Sequence, residues 1–205
     1  MNPVQITATA QLPNGEAVLS PFGTSWQKLM IWVFIVTDAL LFAGFLASYG
    51  FVRLASPSWP DRSQIFHLRL IALMTFVLIS SSATMASAVA AVQRGDRRML
   101  IRFLALTIAG GGCFLGMQAY EWASLIREGG TLFSNPWGVP LFTSCFFLIT
   151  GFHGSHVLSG VVVLIITAIR AARGRSTANG IEVAGLYWHF VDLVWVFIFT
   201  FFYLI

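Results

Sequence analysis

Six ionisable side chains, Asp38, Glu121, His153, His156, His189 and Asp192, stand inside long apolar runs of this sequence. A charge near the centre of a bilayer costs roughly 2.5 to 3.5 kcal/mol on insertion scales, so such residues face other helices, take partners and mark candidate functional sites. His189 and Asp192 are three residues apart and share one helix face. Asp38 lies ten residues from Lys28, and Asp192 ten from Glu182 on the same side; at about 1.5 Å per residue both sit roughly 15 Å deep. Asp38, His189 and Asp192 are therefore expected to form one polar layer. Glu121 is 19 residues from Arg102, and His153 and His156 are 17 and 14 from Arg170. Those separations, roughly 28, 25 and 21 Å, suggest a second layer in the opposite half. Carboxylates and imidazoles at such depth can hold or relay protons, or can simply hydrogen-bond helix to helix. Both readings stay open on the residues alone.

Metal and redox chemistry is a poor fit. His153 and His156 share one helix, whereas haem ligation from two sides needs histidines on facing helices. Adding His189 gives three intramembrane histidines, and His67 belongs to an outer loop. Two haems and a copper would need more, and a dinuclear copper centre would need paired cysteines. Cys113 and Cys145 lie in apolar runs without ligand spacing and are read as small buried hydrophobes. No metal or cofactor is expected in this chain.

The elements that must position these groups follow from composition. Of 205 residues, 57% are hydrophobic and 10% charged, which signals an integral membrane protein. Apolar runs cover residues 26–52, 70–92, 101–123, 141–169 and 183–205, each long enough for a hydrocarbon core that needs about 20 residues. All seven prolines fall outside these runs or at their edges, where a missing backbone donor does least harm. The expected fold is all-α, an integral membrane bundle of five transmembrane helices over residues 26–205, preceded by a polar arm over 1–25 with no cleavable signal. Ser80, Ser81, Ser82, Thr84 and Ser87 in the second run offer a small-residue surface, as do Gly110, Gly111, Gly112 and Gly116 in the third. Ser81, Gly112, Gly116, Gly154 and Gly160 are taken as points of close helix approach.

Lys and Arg cluster at the ends of the runs and form no nucleic-acid patch. Eight (Lys28, Arg94, Arg97, Arg98, Arg102, Arg170, Arg173, Arg175) fall on the side of the N-terminus and four (Arg53, Arg62, Arg69, Arg127) on the other. The N-terminus is thus expected to be cytoplasmic and the C-terminus outside. Five uninterrupted helices without an internal repeat do not suit an independent transporter.

Two segments carry the reading further. GFHGSHVLSG at 151–160 and YWHFVDLVW at 187–195 resemble signatures of subunit III of the haem-copper respiratory oxidases, in its short five-helix bacterial form. Asp38 in VTDALLF matches the family's intramembrane carboxylate, and Ser80 to Thr84 and Gln118, Tyr120 and Glu121 resemble further stretches. The resemblance implies an accessory subunit of a proton-pumping terminal oxidase in the bacterial inner membrane. That subunit binds subunit I directly, alongside subunit II and a small subunit IV, with haem and copper in the partners and phospholipid held nearby. It supports proton uptake and protects the active site during turnover. Cytochrome c is the favoured electron donor, with a ubiquinol oxidase or a nitric oxide reductase accessory protein as alternatives.

Overall fold

The computed structural model describes residues 24–61 and 65–204. The polar arm up to residue 23, and Arg62 of the charge count, lie outside the described residues. Five helices run through the chain: α1 Trp26–Ala55, α2 Leu68–Gln93, α3 Arg97–Arg127, α4 Pro140–Ala172 and α5 Ala178–Phe199, the last continued by a π-helical turn, Thr200–Leu204. All five are long and apolar enough to cross a membrane, and no strand occurs among the described residues. The helices outrun the apolar stretches by about a turn at several ends, where long basic side chains keep their charges in water while their stems stay apolar.

The ends are defined by local chemistry. The side chains of Ser25, Asp96 and Thr177 accept from the backbone N–H of Lys28, Met99 and Gly180, satisfying donors that the first turns of α1, α3 and α5 leave free. Gly174, at φ 69°, ends α4, with the Arg175 N–H donating to the Arg170 carbonyl at 2.9 Å. This six-to-one closure needs the left-handed conformation that glycine adopts without a steric penalty.

Helix α5 sits in the middle, packed on α1, α2 and α4, while α3 pairs closely with α2 and α4. Half of the α5 span is buried against 11% of the α1 span, so α1 leans on the bundle along one edge. The residues buried on α1 are Asp38, Phe42 and Tyr49. At the end of the bundle that holds the C-terminal turn, Tyr49 stacks on Phe202 at 4.0 Å, and Tyr203 meets Phe66 at 4.9 Å, so the π-helical turn delivers two rings to one aromatic cluster.

The structure corrects part of the expected packing. A Cβ on Gly112 or Gly116 would meet nothing within 4 Å, so these two glycines face the outside of the chain. The close approaches are one residue earlier: Gly110 lies under Ser81, and Gly111 under Trp188 and Val161. Gly154 does admit the Gln118 side chain and Gly160 admits Trp188. Cys113 is exposed, contrary to its reading as buried, and Cys145 is half-buried; Cys113 shares the outward face of α3 with Gly112. A Cβ at Gly111 would stand 2.5 Å from the Trp188 ring, so Gly111→Ala should destabilise the fold by about 1 to 3 kcal/mol through overpacking. Gly112→Ala should be near neutral, and thermal unfolding of the two variants in detergent checks the contrast.

Candidate functional site

Five of the six intramembrane ionisable residues fall into three separate groups, each joining two helices or a helix and the start of the next. The first joins α1 to α4. Asp38 Oδ2 lies 3.4 Å from His156 Nε2, and His156 Nδ1 lies 2.9 Å from the Phe152 carbonyl. A carbonyl only accepts, so Nδ1 carries a hydrogen, and Nε2 is the nitrogen turned toward the carboxyl. Phe42 and Phe152 enclose the imidazole, with centroids at 5.6 and 4.7 Å. Tyr187 of α5 closes this region by donating to the His156 carbonyl at 3.2 Å and pairing with the Ser159 hydroxyl at 2.7 Å.

The second joins α2 to α5. Ser82 Oγ is 2.6 Å from His189 Nδ1, and the Asp192 carboxyl, one turn further along the same face of α5, lies near the same hydroxyl. One turn away the Trp188 indole N–H donates to Ser81 at 3.1 Å, and the Trp195 indole donates to Thr75 at 3.0 Å. The third lies at the end of the bundle where α2 begins and α3 ends. Buried Glu121 accepts from the His67 backbone N–H at 3.4 Å and lies 3.6 Å from His67 Nδ1.

His153 belongs to none of these. It is fully buried, its Nε2 donates to the Val191 carbonyl at 3.1 Å, and its ring lies among Phe114, Trp195 and Phe42. It ties α4 to α5 at the level where Gln118 donates to the Thr150 carbonyl at 2.7 Å.

The expected layers are thus repartnered. Asp38 pairs with His156 and not with His189 or Asp192, because α1 packs on α4 as well as α5, and residue counting measures depth without azimuth. Glu121 pairs with His67 and not with His153 or His156. His67 does lie in the loop before α2, as its N-cap residue; nothing in the sequence signalled its contact with Glu121. Ser82 was read as a packing residue; only the fold shows it bridging His189 and Asp192. Lys28 and Glu182, also missed, form an ion pair across α1 and α5. Among the described residues no three His, Cys, Asp or Glu side chains converge as a metal site. What the arrangement offers is protonatable side chains, most of them buried between helices.

Compared with known proteins, residues 22–205 match the family model described as cytochrome c oxidase subunit III. The cytochrome c oxidase subunit 3 of Corynebacterium diphtheriae is 36% identical over 179 residues, covering 84% of this chain and 85% of that protein. The protein of the same name from Thermostichus vulcanus is 34% identical over 184 residues, 88% of each chain. That of Synechocystis is 36% identical over 215 residues, covering all of this chain and 89% of the relative.

The repartnering has a measurable consequence. In a double-mutant cycle, Asp38→Ala and His156→Ala should couple by roughly 0.6 kcal/mol, with a ceiling near 1.7, as intramembrane hydrogen bonds do. Asp38→Ala and His189→Ala should be additive. Unfolding of the four variants in detergent distinguishes this pairing from a shared layer.

Proposed function

The chain belongs to the cytochrome c oxidase subunit III family, and from that membership we propose that it works as the accessory subunit III of a proton-pumping haem-copper terminal oxidase. It is a multi-pass membrane protein and one part of a complex that reduces oxygen. Residues 26–205 form its working unit. Subunit I is its direct partner, with subunit II and a small subunit IV in the same assembly; the haem and copper belong to those partners, and cytochrome c donates the electrons.

The observation that carries this reading is that the two segments resembling the family's signatures interlock. His153 reaches the Val191 carbonyl, Ser159 meets Tyr187, and Gly160 leaves room for the Trp188 ring. The two signature segments therefore hold α4 against α5. Phospholipid is the proposed occupant of the groove between α1 and the outer half of α5, about 470 Å³ and lined by Ala43, Leu46, Leu193 and Phe197 among others. Acyl chains match such a wall, since it offers them dispersion contacts and no stranded polar group. The pair Asp38–His156 is the proposed proton-related element, supporting uptake and turnover stability of subunit I.

Gentle detergent extraction of a tagged chain should recover a haem-copper catalytic subunit that consumes oxygen with reduced cytochrome c. Recovery with a nitric-oxide-reducing subunit, or of the chain alone and active in transport, would overturn the assignment. Asp38→Ala should assemble and start turnover at a near-normal rate, then lose activity sooner than the wild type during sustained turnover. With the N-terminus cytoplasmic, a cysteine replacing Ser134 in the loop between α3 and α4 should label from outside intact cells with an impermeant reagent.

A further inference from the structure

A second hollow lies between α1 and α5 in the half of the membrane nearer the N-terminus. It is a crevice of about 420 Å³ whose walls include Lys28 and Trp32 of α1, Ala86 and Val89 of α2, and Glu182 and His189 of α5. We propose that this crevice is a water-filled inlet and that His189, Ser82 and Asp192 form a proton-accepting site at its inner end.

Two features separate it from the apolar groove in the other half of the same helix pair. Its mouth carries the Lys28–Glu182 ion pair, with side chains 34% and 23% exposed, and Gln93 donates to Glu182 at 3.2 Å. Such groups are costly against acyl chains, which offer no hydrogen bonds, and cheap against water. Its inner end is an imidazole seven residues further along α5, roughly 10 Å from the mouth. At about 30 Å³ per molecule, the volume admits on the order of ten waters. Behind His189, Ser82 contacts Nδ1 at 2.6 Å and lies near Asp192. Asp192 is 8% exposed, and its Oδ1 is buried with no hydrogen-bond partner among the described residues.

The transfer balances. Crevice water as hydronium gives a proton to His189 Nε2; the Nδ1 hydrogen passes to Ser82 Oγ; the Ser82 hydroxyl hydrogen passes to the Asp192 carboxylate. Water is released, Asp192 gains one proton, and the imidazole is left neutral with its hydrogen on Nε2; the reverse sequence resets it. The charged groups facing the path are Lys28 from α1 and Glu182 from α5, while α2 contributes the neutral Ser82 and Gln93.

The test uses the full chain in its native membrane, with Cys113→Ser and Cys145→Ala removing background thiols. Single cysteines at Ala86 and Leu186 should react with a charged, impermeant thiosulfonate about tenfold or more faster than cysteines at Ala43 and Leu193, because the reactive thiolate does not form against hydrocarbon. Reaction should come only from the N-terminal face. Equal rates at all four positions would overturn the inlet. Infrared difference spectra of the purified assembly, stepped between about pH 5 and 9 where imidazole titrates, should show a carboxyl signal that Asp192→Asn removes and Ser82→Ala slows. Absence of any Asp192-dependent signal, or one indifferent to Ser82→Ala, would overturn the proton site.

Discussion

A polar side chain buried among helices finds no partner in lipid, so it is held best where another protein group answers it, and α5 supplies several of those answers. Its Val191 carbonyl takes the hydrogen of His153, its His189 contacts Ser82, its two indoles donate to Ser81 and Thr75, and its Tyr187 holds Ser159. These contacts reach α2 and α4 at once. Apolar burial adds little preference between neighbours when the alternative solvent is itself apolar, so specific packing and hydrogen bonds choose the arrangement. The central place of α5 follows from that demand.

Close approach is what makes these bonds geometrically possible. Trp188 reaches Ser81 only because Gly111 and Gly160 leave room for the indole, and Ser81 itself lies on Gly110. A bulky side chain at Gly111 would move the ring and strand its N–H. The glycines and the hydrogen bonds are thus one device: small residues set the interhelical distance, and the polar groups set the rotation.

The two halves of the α1–α5 seam use different physics. Toward the N-terminal side the helices are pinned by Lys28 with Glu182 and by Ser25 and Gln27 with Asn179, contacts suited to a wet boundary. Toward the other side Tyr49 of α1 stacks on Phe202 in the turn that continues α5, and Phe42 of α1 packs on Phe152 of the neighbouring α4, contacts suited to a dry boundary. Between these regimes lies Asp38 with His156, where α1 makes its one buried carboxyl contact. Helix α1 is otherwise largely open, which leaves it the helix with most surface free for lipid or neighbouring subunits.

The sequence alone determined the number of helices and their bounds to about a turn, because apolar length is a one-dimensional quantity. Its signatures at 151–160 and 187–195 also pointed to the family. It did not determine which residue meets which. Depth placed Asp38, His189 and Asp192 together, yet His156, from the layer counted as deeper, is the one that meets Asp38, since α1 and α4 run close along an edge that no count along either helix describes. The same limit separated Glu121 from His153, hid the bridging role of Ser82, and made Gly112 look like Gly111. Rotation about a helix axis is decided by what the neighbouring helices offer, and that is known only when all five are packed.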